Sequence, residues 1–335
     1  MDEQPEHRSR QYWTEAPFSG RIRHAAVPDP GEGEVLVETH VSGISRGTEA
    51  LIHRGEVPDE VAGLMNAPFQ LGELPHPVSH GYLNVGVVVT GPPQLQGRTV
   101  FTLGGHRDHM VVPVQDCHPV PPGCPPERAL FAGAAEASLN ALWESQTTIG
   151  DRVAVVGSGL IGLTTALLAS RIPLRGLEVV DVDPERREVA ASLGLRAVAP
   201  GSAAGDNDVV LHSSADDDGL AEALRITGDD GTVVEQSWYG DRRPAVPLGG
   251  GFHARRLRLV ASQVNEVASP RRLRRSRTER LRTGLELLDE RFDRLITGRS
   301  DLAELPQVMD DIAVDAERTR SCILHIIDHR TREEE

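Results

Sequence analysis

The stretch VAVVGSGLIGLTTALLASRIPLRGLEVVDVD, residues 153–183, decides the fold. Its β-branched start, Val153 to Val156, enters the glycine turn Gly157-Ser158-Gly159-Leu160-Ile161-Gly162. An apolar helical segment follows from Leu163 to Ser170, and a second apolar run, Leu177 to Val180, ends on Asp181. The order strand, turn, helix, strand, acid suits a dinucleotide. Gly157 permits the tight turn, Gly159 lets backbone amides approach a pyrophosphate, and Gly162 lets the helix pack close to the strand. The helix N-terminus favours the phosphate charge. Asp181 stands 19 positions beyond Gly162 (181 − 162), where a carboxylate accepts hydrogen bonds from a ribose and repels a 2′-phosphate. NAD is therefore expected in preference to NADP. Arg186 reads equally as a group that stacks on or flanks the adenine and as an exposed arginine with no ligand, while Arg175 and Arg187 nearby keep NADP open.

Composition narrows the rest. The 335 residues are enough for two domains of ordinary size. No run reaches the ~18–20 apolar residues of a membrane span, and MDEQPEHRSRQ at the start lacks the apolar centre of a signal peptide, so it reads as a short frayed tail of a cytoplasmic protein. A net charge of −15 argues against a general nucleic-acid or anionic-membrane binder. One segment opposes that average: RRLRRSRTERLR, residues 271–282, holds seven arginines and reads either as a solvated face or as a rim that steers an acidic substrate. Cys117, Cys124 and Cys322 are too few and too scattered for a disulfide framework. The chain has no lysine, which excludes Schiff-base and pyridoxal-phosphate chemistry and any tyrosine–lysine pair.

Outward from the glycine turn, the N-terminal side reads as short strands and turns from Trp13 to about Leu103, with Glu34 to Val41 and Val85 to Thr90 the plainest. The corner PVPPGCPP, residues 119–126, closes this β-rich part, whose composition suits a twisted, partly open barrel. Residues 127–144 read as helical. Beyond Asp181, strands near 196–199, 208–212, 231–235 and 257–262 alternate with helices, which implies a parallel sheet covered on both faces. From Pro270 the chain reads as helical and charged, then ends on an apolar run, residues 322–327.

At this point the chain resembles the medium-chain dehydrogenase/reductase superfamily, that of the zinc-type alcohol dehydrogenases and quinone reductases. The resemblance rests on PGEGEVLVETHVSGIS, Gly47-Thr48-Glu49, NVGVV around Gly86, GRTVF, GDRVAVVGSGLIG and LITG at 295–298, and covers residues 13–327. Within it the chain looks nearest the branch of bacteriochlorophyllide dehydrogenase and threonine-dehydrogenase-like proteins. The resemblance implies a GroES-like twisted β-barrel catalytic domain, residues 11–137 completed by 271–335, around a doubly wound Rossmann domain, residues 138–270. It also implies a homodimer joined through the last strand of the nucleotide domain.

Zinc members of this family carry a cysteine before the Gly-Thr/Ser-Asp motif, and a His-Glu pair four and three residues before the glycine matching Gly86. Here those positions hold Ser45 or Arg46, Tyr82 and Leu83. A hydroxyl or a leucine does not replace a thiolate or carboxylate at zinc, so no metal is expected. His80 lies two residues too early and Glu136 too close to the glycine turn to restore the site. The four-cysteine lobe that holds a structural zinc in the family is missing too.

Hydride transfer to a carbonyl still needs a partner for the oxygen. Thr48 matches the family hydroxyl that contacts the reacting oxygen, Tyr82 takes the place of the lost histidine, and His53 is a candidate to pass a proton to solvent through the ribose. Glu49 matches a supporting acid of the family, and turn capping is an equal reading of Thr48. Ser213, Ser237 and Trp238, beyond the ends of two strands, are candidates for the nicotinamide side, with ordinary polar loops as the alternative; nothing fixes Tyr239 or His253 on a substrate. The leading expectation is a zinc-independent, NAD-dependent oxidoreductase that interconverts a secondary alcohol and a ketone on a small-molecule substrate. Its rivals are an enoyl- or quinone-type C=C reductase and a non-catalytic NAD-binding protein.

Overall fold

The structure is a computed structural model that describes residues 7–330. The chain divides into two compact units, one from residues up to Gly133 together with those from Ile296 on, the other from Ala134 to Leu295. Both architectures expected from the sequence are present.

In the first unit the strand Glu34–Ile44 is the spine. It pairs antiparallel with Asn84–Thr90, His109–Pro113 and Leu324–Asp328, and two bulges bend it. Val35, Leu36, Val37 and Val41 are all fully buried, so this strand is covered on both faces rather than alternating as a half-solvated strand would. Val35 and Val37 pack with Val88, Val100, Met110, Val112 and Cys117. Gly86 is required where the two central strands meet, because a Cβ there would lie 2.2 Å from the Glu38 carbonyl oxygen. A second sheet pairs His7–Ala16 with Ser19–Val27 and, at its other edge, with Val78–Ser79.

Several expectations change here. Residues 7–11, expected to fray, form the start of a strand in register with 23–27; residues 1–6 lie outside the described residues. The segment Arg46–Arg54, expected as turn, is a helix stopped by Gly55 in the left-handed conformation. Its buried face, Ala50, Leu51 and Ile52 with Glu49 and His53, interrupts the apolar spacing with polar groups, which hid it in the sequence. Ile296–Asp301 is a strand beside Leu324–Asp328, not helix.

The second unit is a six-stranded, all-parallel sheet in the spatial order Arg196–Val198, Gly176–Val180, Arg152–Val156, Asn207–His212, Thr227–Glu235, Arg258–Ala261. Numbered along the chain this is 3-2-1-4-5-6, the doubly wound dinucleotide order, with its reversal beside Arg152–Val156. Ala154, Val156, Val180, Val210 and Val233 make the core with Leu220, Ala223 and Leu224 of the helix Asp217–Ile226. That helix starts on the Asp216 carboxylate, which accepts from the Asp218 and Gly219 amides.

The boundary expected at 270 moves to 295, and one arginine explains it. Arg280, inside the basic run, is fully buried. Its Nη2 lies 3.2 Å from Glu136 Oε2, and its Nη1 donates to Asn140 Oδ1 at 2.6 Å and to the Glu266 carbonyl at 3.1 Å. The helix Arg277–Glu286, opened by a Ser276–Glu279 capping box, is thereby part of this unit. The other arginines of the run are exposed. Arg280→Met strands the buried Glu136 carboxylate and is expected to destabilise the protein by about 3–5 kcal/mol. Calorimetric melting checks this, and an unchanged transition would refute it.

Candidate functional site

The dinucleotide motif has the backbone its glycines imply. Gly157 sits at φ +97° with Ser214 N 2.7 Å from where its Cβ would be, and a Cβ on Gly162 would lie 1.8 Å from the Gly157 carbonyl oxygen. Gly159 differs: a Cβ there meets nothing within 4 Å, and its backbone is extended. Two glycines are thus demanded by the fold and one faces open space. Gly159 is also the N-cap of the helix Leu160–Ala169, with no side-chain cap on that helix. Uncapped helix amides beside an open glycine fit a pyrophosphate.

Asp181 is buried and already engaged. Its Oδ2 accepts from the Ser158 amide at 2.6 Å and the Ser158 hydroxyl at 2.7 Å, and its Oδ1 from the Asp183 amide at 2.8 Å. The carboxylate therefore ties the second strand to the glycine turn, and its remaining lone pairs are those a ribose would use. Arg186 caps toward Asp183, 3.8 Å away, at the start of the helix Pro184–Ser192, while Arg187 donates to the Asp181 and Val182 carbonyls at 2.8 Å. Val182 itself is exposed.

At the carboxyl ends of the next strands, Ser213 Oγ donates to the Gly157 carbonyl at 3.1 Å and Ser237 Oγ accepts from the Ala215 amide at 3.0 Å. Trp238 is half-buried beside them in the chain. The structure adds a group that sequence reading missed. Buried His212 joins Glu235 Oε2 through Nδ1 and Ser214 Oγ through Nε2, both at 2.7 Å, and Tyr239 donates to the same Glu235 oxygen at 3.1 Å. Burial would raise the Glu235 carboxyl, but hydrogen bonding and charge from His212 and bonds from Ser237 outweigh it and hold it below its ordinary value. The two partners are 23 residues apart and meet only because their strands are neighbours.

In the barrel unit, Ser45 follows the spine and occupies the N-cap position of the helix Arg46–Arg54 without a side-chain capping bond. Tyr82 Oη donates to Ser45 Oγ at 2.5 Å, and the Ser45 amide donates to Glu49 Oε1 at 2.7 Å. Thr48 is half-buried in the first turn of the same helix. His53, at the far end of that helix, is fully buried and bonds Tyr12 Oη at 3.1 Å and Asp310 Oδ1 at 2.8 Å. Its bonds thus run to Tyr12 and to the half-exposed Asp310, one helix length from Thr48.

These donors do not assemble the zinc site that the resemblance implies. Ser45 carries the Tyr82 hydroxyl, Arg46 is paired with Asp315, and Leu83 is buried. His80 Nδ1 meets Gln70 Oε1 at 2.9 Å, its Nε2 has no partner among the described residues, and burial pushes the imidazole down to about 4. One neutral imidazole among hydroxyls and a guanidinium does not fit zinc. Among the described residues no group of three or more His, Cys, Asp or Glu side chains is placed to hold a metal ion.

Comparison with known proteins agrees with the fold. No family model matches the chain. It is 32% identical over 230 residues to an L-threonine 3-dehydrogenase of Xanthomonas campestris pv. campestris, covering 59% of this chain and 65% of that protein. It is 30% identical over 179 residues to the 2-desacetyl-2-hydroxyethyl bacteriochlorophyllide A dehydrogenase of Rhodobacter capsulatus, covering 49% of this chain and 52% of that one. The chain thus spans less than two thirds of the length of these curated relatives. A solved structure described as a zinc-binding dehydrogenase from Sinorhizobium meliloti 1021, bound to NADP, superposes with a TM-score of 0.75 at 20% identity, covering 97% of this chain and 100% of that one. The chain therefore has the two-part fold of the medium-chain dehydrogenases and is related in sequence to proteins named as threonine and bacteriochlorophyllide dehydrogenases.

Proposed function

We propose that this protein is a nicotinamide-dependent oxidoreductase that interconverts a secondary alcohol and a ketone, with hydroxyl groups in place of a metal. The observation that carries the reading is the Tyr82–Ser45 pair at 2.5 Å, at positions that the resemblance matches to metal ligands, with Arg46 the alternative to Ser45. Bound nicotinamide supplies the hydride donor or acceptor. The glycine turn and the helix Leu160–Ala169 hold the pyrophosphate, and Asp181 holds the ribose. A hydroxyl that both donates and accepts can steady a reacting oxygen as it gains or loses its proton. The pair does this together: Tyr82 donates its one hydrogen to Ser45 and accepts from an alcohol, Ser45 keeps the O–H that can donate to a ketone oxygen, and Thr48 offers a further hydroxyl. Relatives named as L-threonine 3-dehydrogenase and 2-desacetyl-2-hydroxyethyl bacteriochlorophyllide A dehydrogenase support alcohol–ketone chemistry over reduction of a C=C bond.

The test follows nicotinamide absorbance in stopped flow with panels of secondary alcohols, ketones and enones. Turnover of alcohols and ketones alone is expected; turnover of enones alone, or no redox change with any, would sink the proposal. Since Asp181 disfavours a 2′-phosphate, NADH is expected to work better than NADPH. Asp181→Asn removes that repulsion and is expected to shift the NADPH/NADH ratio of kcat/KM upward by about tenfold, a coupling of ~1.4 kcal/mol. An unshifted ratio would remove Asp181 from cofactor choice. The edge strand Arg258–Ala261 is the surface through which a homodimer would form, and sedimentation reads that state directly.

A further inference from the structure

Glu49, the acid that holds the Ser45 amide, begins an unbroken row of side chains inside the barrel unit. Its Oε2 lies 2.8 Å from His106 Nε2, and His106 Nδ1 lies 2.7 Å from Ser42 Oγ. Ser42 Oγ lies 2.8 Å from His329 Nε2, and His329 Nδ1 lies 3.0 Å from Asp108 Oδ1. Ser42, Glu49, His106 and His329 are each no more than 4% exposed. Asp108 is half-buried and meets Arg10 Nε at 2.8 Å, so the row has one end beside the Ser45–Tyr82 pair and the other at the surface.

The hydrogens can be counted. Four contacts need four protons. Neutral His106 and His329 bring one each and Ser42 brings one, which makes three. With both carboxylates ionised, a fourth is needed, or Ser42 is left between two nitrogen lone pairs with a buried acceptor facing an acceptor, which desolvation penalises. The fully bonded row thus carries one net negative charge from two carboxylates.

Ser42 has a single hydrogen, so the extra proton has two homes. In one, His106 is the imidazolium, its Nδ1–H donates to Ser42 Oγ, and Ser42 donates to His329 Nε2. In the other, the His106 Nδ1 proton has passed to Ser42 Oγ while the former Ser42 hydrogen has passed to His329 Nε2. One N–H and one O–H break, one O–H and one N–H form, and a unit charge moves from the inner ring to the outer one. Burial would raise Asp108, but bonds and charge from His329 and Arg10 hold it down at about 2, so Asp108 rests as the carboxylate and carries the proton only in passing. Burial pulls His329 below its ordinary value, with Asp108 opposing and His106 and Arg10 adding, which favours the inner home. The other groups facing the row include Tyr12, His80, His109 and His325.

We propose that Glu49, His106, Ser42, His329 and Asp108 form a one-proton relay that stores a proton behind the Ser45–Tyr82 pair and exchanges it with solvent at Asp108. The Ser45 amide between Glu49 and the hydroxyls passes no proton itself, so the relay acts on the pair through charge and orientation, and its members are positioning residues. This role rests on the reading of Tyr82 and Ser45 as the reacting site.

The experiment is nitrogen-15-edited NMR of the histidine rings in the full chain near neutral pH, assigned with His106→Gln and His329→Gln. The wild type is expected to show one doubly protonated ring of this pair, and Ser42→Ala to show both rings neutral and to melt earlier, because two buried ring nitrogens lose their partner. Ser42→Thr, which restores a hydroxyl, is expected to restore both the doubly protonated ring and the melting temperature, so the Thr variant and the wild-type spectrum decide. Two neutral rings in the wild type would overturn the relay whatever the reaction is. With the substrate found in the absorbance assay, Ser42→Ala is expected to lower kcat about tenfold, to leave KM unchanged and to move the pH profile of kcat. A stored proton with kcat and its pH profile unmoved in Ser42→Ala would cut the relay from the site. No loss in Tyr82→Phe would instead fail the reading of the site while leaving the proton count standing.

Discussion

Gly159→Ala is expected to fold with an unchanged melting temperature and to bind NADH roughly 10- to 100-fold more weakly. The fold has no objection to a methyl group there, since nothing lies within 4 Å and the backbone is extended. The objection comes from the ligand, because that methyl group would stand where the pyrophosphate meets the helix amides. Losing one or two charge-assisted hydrogen bonds costs about 1.5–3 kcal/mol, which is that range of affinity. Gly162→Ala is the control in the opposite sense. Its Cβ would meet the Gly157 carbonyl oxygen at 1.8 Å, so the protein itself loses stability. Fluorescence titration with NADH, alongside thermal melting of both variants, reads the two effects separately. NADH affinity unchanged in Gly159→Ala would mean that the glycine turn is an ordinary strand–helix connection.

Tyr82→Phe is expected to lower kcat by about 100-fold, within the range of general acid–base catalysis, while leaving NADH affinity as it is. The ring stays and only the hydroxyl is lost, so Ser45 Oγ keeps its place at the helix N-cap and loses its donor. Ser45→Ala is expected to act in the same direction more weakly, because it leaves the Tyr82 hydroxyl free to donate in its place. Single-turnover absorbance separates the chemical step from cofactor release. Unchanged turnover in Tyr82→Phe would take the residue out of the reaction and shift attention to Thr48.

The two variants probe the parts of the protein that were legible to different degrees. The Gly157–Asp181 motif is local: its residues are joined by one strand, one turn and one helix, so their spacing in the chain is also their spacing in space. The parallel sheet follows from alternating strands and helices for the same reason, whereas its order, 3-2-1-4-5-6, comes from the structure. Helix Arg46–Arg54 was obscured because Glu49 and His53 sit on its buried face, and a buried face with polar residues breaks the apolar rhythm from which helices are read. The boundary at 295 was invisible because Arg280 in a basic run looks like six other arginines until Glu136, 144 residues away, is found against it.

The amino-acid sequence by itself determined the two-part architecture and the glycine motif, since each depends on residue type at short fixed spacing. Tertiary structure alone decided which polar groups act together. His106 and His329 meet through Ser42, partners 64 and 287 residues from it, and His212 meets Glu235 across neighbouring strands. Such pairings are paid for by the desolvation each group would suffer alone, and that penalty exists only once the strands have closed around them.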